Sequence, residues 1–380
     1  MKRTVQISLP YTGEEEWEAC REPLMSGWLT QGPKVAAFEK AFAQRHGVKR
    51  ALASSNCTTG LHLILAAMGI GPGDEVLVPA FTWVATANVV VYCGATPVFV
   101  DVERHTNNID PADIARKITP RTKAVIVVHL FGLCADMDAI RAVVPEGVKI
   151  VEDAACAAGA SYKGVHAGGL GDAAAFSFHP RKSITTGEGG MVTTNDDTIA
   201  NVADMLRNHG ASISEEQRHN GPRPYLLADF NLLGYNYRMT DLQGAVGLVQ
   251  LGKLDKLIAE RRRWADFYVA ELAEIDWLKM PRFPEDGVHA LQAFVTYVDP
   301  EKAPLPRNVI MERLQEKGIS TRPGTHAVHM LGYYRQTFGL KPDDFPAARD
   351  CDANTMAIPL HNRMTEEDYR YVVDAIKALN

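Results

Sequence analysis

Short apolar runs alternate along this chain with segments whose apolar positions recur at helical spacing. The runs at Arg50–Ser55, Glu75–Val78, Thr96–Val100, Lys123–Val128, Lys149–Val151, Ala173–Phe178 and Met191–Thr194 predict buried strands. Helical patterns lie between them. Pro33 opens one with Val35, Phe38 and Phe42 on one face, another runs to Met68, and others cover Met137–Val143 and Asp196–Arg207. Such alternation predicts parallel strands joined by crossover helices, an α/β fold. Upstream, Ile7–Pro10 reads as extended, and Thr12-Gly13-Glu14-Glu15 as the capping-box start of a helix reaching towards Met25. Asn208–Asp229 is polar, bears Gly and Pro, and reads as a long surface loop. A helix from Thr240 to Leu257 follows, then a charged helix, Leu251–Arg263, leading into a smaller unit. That unit holds a strand, Ala293–Val298, and helices at Pro306–Lys317 and Glu366–Leu379. The expected division is 1–250 and 251–380.

Composition narrows the function classes. A chain of 380 residues, 46% hydrophobic and 23% charged, has the make-up of an ordinary globular protein with a large core. A net charge of −6 without any Lys/Arg-rich run argues against a nucleic-acid surface. The six cysteines, at 20, 57, 93, 134, 156 and 351, lack paired metal spacing and read as reduced thiols. The basic start has no apolar core for a signal peptide, and no apolar stretch approaches the ~20 residues of a membrane helix. Cytoplasm is the expected location.

Candidate chemistry gathers at strand ends. Lys182 lies in the loop Ser177-Phe178-His179-Pro180-Arg181-Lys182-Ser183-Ile184-Thr185-Thr186-Gly187-Glu188-Gly189-Gly190, between two strand-like runs. A solvated loop lysine is the ordinary reading. A partly desolvated one would favour the neutral amine that Schiff-base chemistry needs. Glu152-Asp153 closes the Lys149 strand, where α/β ligands collect; a plain helix cap is the alternative. Asn56-Cys57-Thr58-Thr59 opens a helix and is either an anion seat or a simple cap. Trp83 could stack on a planar ligand or belong to the core. His129, at a strand end, is a candidate lining residue, and His62 a packed one. Gly69-Ile70-Gly71-Pro72-Gly73 follows a helix and precedes a strand, the wrong order for a dinucleotide turn, which disfavours a nicotinamide-dependent dehydrogenase. His326 and His329 lack a third ligand at zinc-like spacing, so no metal is expected; substrate contact through Arg322, His326 or His329 competes with packing.

Three of these stretches, the Ser177–Gly190 run, Glu152-Asp153-Ala154-Ala155, and Gly234-Tyr235-Asn236-Tyr237-Arg238-Met239-Thr240-Asp241, resemble the DegT/StrS group of sugar aminotransferases. The likeness extends from Trp28-Leu29-Thr30-Gln31-Gly32-Pro33 to Thr321-Arg322-Pro323. It implies the pyridoxal phosphate (PLP) transferase fold of type I, a large α/β/α domain with a mostly parallel sheet plus a smaller α+β domain. It implies that Lys182 carries PLP as a Schiff base, Asp153 pairs with the ring nitrogen, and Trp83 stacks on the ring. Thr58, Thr59 and Ser177 would bind the cofactor, and Asn236 would reach the neighbouring subunit's phosphate in a homodimer with shared sites. Arg238 would lie near substrate. Many relatives have Gln or His where this chain has Cys156, a weaker partner for the cofactor's 3′-oxygen. Some relatives replace the lysine with His and run dehydrations; Lys182 favours transamination. The implied reaction moves an amino group from glutamate, leaving 2-oxoglutarate, to a nucleotide-linked keto sugar, an NDP-4-keto-6-deoxyhexose. An inosose-type cyclitol is the rival acceptor, and a silent scaffold the rival of another class.

Overall fold

The computed structural model describes residues 3–213, 221–223 and 225–379. Residues 214–220 and 224 of the expected 208–229 loop lie outside them. Seven strands form the central sheet in the order Arg50–Ser54, Gly190–Thr194, Ala173–Ser177, Lys149–Asp153, Thr122–Val128, Glu75–Pro79, Thr96–Val100. Gly190–Thr194 runs antiparallel to both its neighbours, and the remaining pairings are parallel. Apolar side chains leave both faces, as a sheet covered on two sides requires. On one face Leu52, Val78 and Ile126 meet the Cys57–Ala67 and Asp197–Arg207 helices; on the other, Ala53, Leu77 and Val127 meet Pro33–His46 and the Asp241–Glu271 helix.

Local chemistry explains where the elements depart from the expected ones. The single helix expected near Met25 is two, Glu14–Ala19 and Arg21–Ser26, parted at Cys20. Pro23 has no N–H to continue the ladder, and its ring crowds the carbonyl four residues back. The two helices expected beyond Thr240 are one, Asp241–Glu271, running unbroken through residue 250. Its first residue serves a distant element: the Asp241 carboxylate accepts from Gly32 N–H at 2.9 Å and Val35 N–H at 3.0 Å, capping the Pro33 helix. The two helices cross closely at Gly244, where a Cβ would sit 2.7 Å from the Val35 nitrogen.

A second sheet, antiparallel, takes the order Leu278–Lys279, Phe294–Val298, Thr355–Ile358, Arg322–Pro323. Trp264, Tyr268, Phe294, Ile310 and Tyr369 form its separate core. One ladder ties it to the large sheet: His326–Ala327 pairs with Phe81–Thr82, just beyond a central strand.

Candidate active site

At the carboxyl end of the Lys149–Asp153 strand, the chain turns sharply. Ala154 N–H reaches the Ala175 carbonyl at 2.9 Å and Ala157 N–H returns to Ala154 at 2.9 Å, which turns Cys156 towards the neighbouring strand end. There the Lys182 loop folds back on itself. The Phe178 carbonyl accepts from the Thr185 hydroxyl at 2.8 Å and Thr186 N–H at 3.0 Å, while Lys182 N–H donates to His179 O at 2.8 Å. Gly187, at φ +83°, supplies the left-handed step that closes the loop. Gln250 of the long helix accepts Thr185 N–H at 3.1 Å, and Gln292 donates to the Arg181 carbonyl at 2.8 Å, so the loop is held from two directions. The outcome is a half-buried Lys182 whose Nζ lies 3.2 Å from Cys156 Sγ.

Asp153 is 5% exposed. Its Oδ2 accepts from the Thr86 hydroxyl at 2.7 Å and its Oδ1 from Ala155 N–H at 3.2 Å. Burial pushes this carboxyl up, against those two donors and the charges of Lys182 and His129, so the net direction is upward. Burial likewise acts first on Lys182, lowering it, but the hydrogen-bonded Cys156 sulfur and the Asp153 carboxylate act the other way, and the net direction is upward. That net direction is opposite to the lowering expected of a partly desolvated lysine.

The Cys57–Ala67 helix starts beside the same edge. Asn56 caps it, accepting Thr59 N–H at 2.9 Å, and the Thr59 hydroxyl is engaged with Ser55 and the Asn56 backbone. The Thr58 side chain has no hydrogen-bond partner among the described residues. Gly190 passes so close that a Cβ would lie 2.5 Å from the Asn56 carbonyl carbon; its sheet partners are Ser54 and Ser177. Ser177 is buried, with its hydroxyl 3.4 Å from His179 N–H.

Trp83 stands 60% exposed at this edge, its ring 5.7 Å from that of His326. Arg322 is half-buried; burial, then the nearby Arg181 guanidinium, lower its pKa. His329 does not share the opening. It is fully buried, packed on Phe345 and bonded to the Pro342 carbonyl at 3.2 Å, so the candidacy read from its sequence is corrected to packing. Asn236 is exposed, in a segment whose Tyr237 carbonyl accepts Ser55 N–H at 2.8 Å. Arg238 donates to Asn208 at 2.6 Å.

Residues 10–377 match the DegT/DnrJ/EryC1/StrS aminotransferase family. The chain belongs to that family. It is 42% identical over 372 residues to the spore coat polysaccharide biosynthesis protein SpsC of Bacillus subtilis (strain 168), covering 97% of this chain and 95% of that protein. The PLP form of Spr1654 from Streptococcus pneumoniae superposes with a TM-score of 0.91 at 28% identity, over 99% of this chain and 98% of the other. PseC of Helicobacter pylori, an aminotransferase involved in pseudoaminic acid biosynthesis, gives 0.91 at 25% identity over 99% of each chain. This member of the DegT/StrS family is a PLP-dependent sugar aminotransferase with the fold of those enzymes.

The strand edge suits that cofactor. A capped helix start with free amide donors accommodates a phosphate, Gly190 leaves the backbone room beside it, and a buried carboxylate held upward by desolvation suits a cationic ring nitrogen. Two residues of this family member escaped sequence reading. Thr86, inside the Ala85–Tyr92 helix, orients Asp153, and an apolar helix gives no sign that one hydroxyl points at a carboxylate. Glu152 was read only as part of a doublet; His129, expected to line the site, instead bonds Glu152 at 2.9 Å with both side chains fully buried. Strand alternation puts Glu152 and Asp153 on opposite faces of the sheet.

Proposed function

We propose that this aminotransferase takes its amino group from glutamate and delivers it to a nucleotide-linked sugar, an NDP-4-keto-6-deoxyhexose. The observation that carries the reading is the convergence of Lys182, Cys156 and Asp153 at one sheet edge. Bound PLP supplies an electrophilic carbonyl and an electron sink. Lys182 is placed to hold it and, once displaced by the donor amine, to move the proton between carbon and nitrogen. Asp153, its carboxylate fixed by Thr86, would pair with the cofactor's ring nitrogen and favour its protonated form. Trp83 offers its exposed face to the ring, and Thr58, Thr59 and Ser177 flank the phosphate seat. Cys156 would lie beside the cofactor's 3′-oxygen. Arg238 and Arg322, cationic and half-buried, and the exposed His326 suit the acidic groups of donor and nucleotide.

A homodimer is part of this reading. Leu227, Phe230 and Leu233 are exposed close to Asn236, an apolar surface that a second copy would cover while bringing Asn236 to its phosphate seat. The division at residues 1–250 and 251–380 is kept as two units sharing one continuous helix. No helix among the described residues is long and apolar enough to cross a membrane. All six cysteines are free, which supports a reducing, cytoplasmic location.

The test is the visible spectrum of protein loaded with PLP, before and after excess glutamate. The expected result is a band that bleaches with glutamate, returns with the keto sugar, and is missing in Lys182→Ala. A wild-type protein that takes up no PLP overturns the reading; return of the band with an inosose alone replaces the acceptor.

A further inference from the structure

Among the described residues the amine of Lys182 meets one side chain at hydrogen-bond distance, and it is a thiol: Nζ donates to Cys156 Sγ at 3.2 Å. Sulfur is a weak partner for a neutral amine and a strong one for an ammonium when it is ionised. Around the amine stand Cys57 at the helix start, Asp153 at the strand end, Cys156 in the turn, and His179 and Arg181 in its own loop. Cys57 cannot be the anion that matters. Its thiol is fully sequestered, donates to the Ala175 carbonyl at 3.5 Å, and is pushed far up by burial, so it stays neutral. Asp153 is committed elsewhere, to Thr86 and Ala155.

We infer that Cys156 is the proton partner of Lys182, a positioning residue that holds the amine and exchanges its proton. In one arrangement the amine is an ammonium and Cys156 a thiolate. Passing one proton from Nζ to Sγ leaves a neutral amine and a neutral thiol, with no change in total charge. The electron pair freed on nitrogen is the one needed to attack a carbonyl, and the N···S separation spans the transfer without an intervening water. The pair reconciles the nucleophilic role proposed for Lys182 with surroundings that raise the amine's pKa. The inference rests on Lys182 being the cofactor lysine, but its test does not.

The experiment labels cofactor-free protein with trace acetic anhydride across a pH series and quantifies the Lys182 peptide by mass spectrometry. Only unprotonated amine reacts, so the profile is the titration of Lys182. The expected result is a midpoint moved to lower pH in Cys156→Ala and Cys156→Gln, with several-fold faster labelling at neutral pH, and a much smaller move in Cys57→Ala. Cys156→Ser, which keeps size and a hydroxyl, guards against misfolding, and circular dichroism checks each variant. Coincident midpoints in wild type and every Cys156 variant, or an equal move in Cys57→Ala, overturn the inference. Wild-type protein whose visible band with PLP is lost in Lys182→Ala shows that the aminotransferase reading stands in either event.

Discussion

Glu152 and Asp153 are consecutive residues at one strand end, and they use their carboxylates in opposite ways. Glu152 is fully buried and saturated: it accepts from His129 Nε2 at 2.9 Å, Gly168 N–H at 2.8 Å, and the Leu170 and Gly171 N–H groups at 2.7 Å each. His129 Nδ1 accepts Ala135 N–H at 3.2 Å, which leaves Nε2 as the nitrogen that donates. Asp153, on the other face, has two donors and a carboxyl pushed upward. A charge surrounded by enough donors belongs to the architecture. A charge left short of partners in a buried place is waiting for one that the chain does not supply.

The sharpest way to break this comparison is to remove each carboxylate in turn. Glu152→Ala strands the buried N–H groups of Gly168 and Leu170, the partly buried one of Gly171, and His129, so it is expected to cost about 3–5 kcal/mol in chemical denaturation. Transamination per folded molecule should survive, since Glu152 faces away from the cofactor edge. Asp153→Asn keeps the shape and most hydrogen bonding; stability should hold while kcat falls about 10²–10³-fold. If Glu152→Ala folds as well as wild type, or Asp153→Asn stays active, the division between architecture and chemistry is wrong.

The same division governs what the sequence revealed. The strand–helix alternation and the Lys182 loop were readable because burial and turn chemistry leave local marks: apolar runs, glycines, a lysine between hydroxyls. Strand direction leaves none, so Gly190–Thr194, antiparallel within a parallel sheet, looks like its neighbours in sequence. The Asp241–Glu271 helix was read as two because charged residues fill its middle, yet Arg261 is buried there, donating to Asn362 at 2.8 Å. Thr355–Ile358 went unread because four residues, TMAI, are too few to show a period. Thr86 and the Glu152–His129 pair depend on contacts between elements distant in sequence, which no local pattern encodes.

Two smaller changes probe the cofactor side. Gly190→Ala places a methyl against the Asn56 backbone, which cannot yield without moving the helix start. About 1–3 kcal/mol is expected, read as weaker PLP uptake by equilibrium dialysis together with a lower melting temperature. Thr86→Val matches the shape of threonine but withdraws the hydroxyl from Asp153 and from Thr82, 3.1 Å away. The loss of one hydrogen bond to a charged group, about 1–2 kcal/mol, should appear as a reduced kcat with little change in KM for glutamate. Equal losses in Thr86→Val and in a surface threonine would show that Asp153 needs no orientation.

The smallest effect asked of the comparison is a slope. Asp153 has its carboxyl raised in the folded chain, so it binds its proton more tightly there than in the unfolded chain. Its stabilising share is therefore complete below the unfolded value of about 3.9 and is lost as pH rises through the raised folded value. At neutral pH, cofactor-free protein bears the whole cost of the buried charge. Asp153→Asn has no such titration. The difference in stability, variant minus wild type, should thus grow from acid to neutral pH and then level off, whatever constant offset the amide's hydrogen bonds introduce. Saturating PLP should flatten the Asp153 slope, because a cationic ring nitrogen then meets the charge that burial left unpaired. A slope unchanged by PLP would mean that the cofactor does not meet Asp153, and that the contrast between the two carboxylates is one of packing alone.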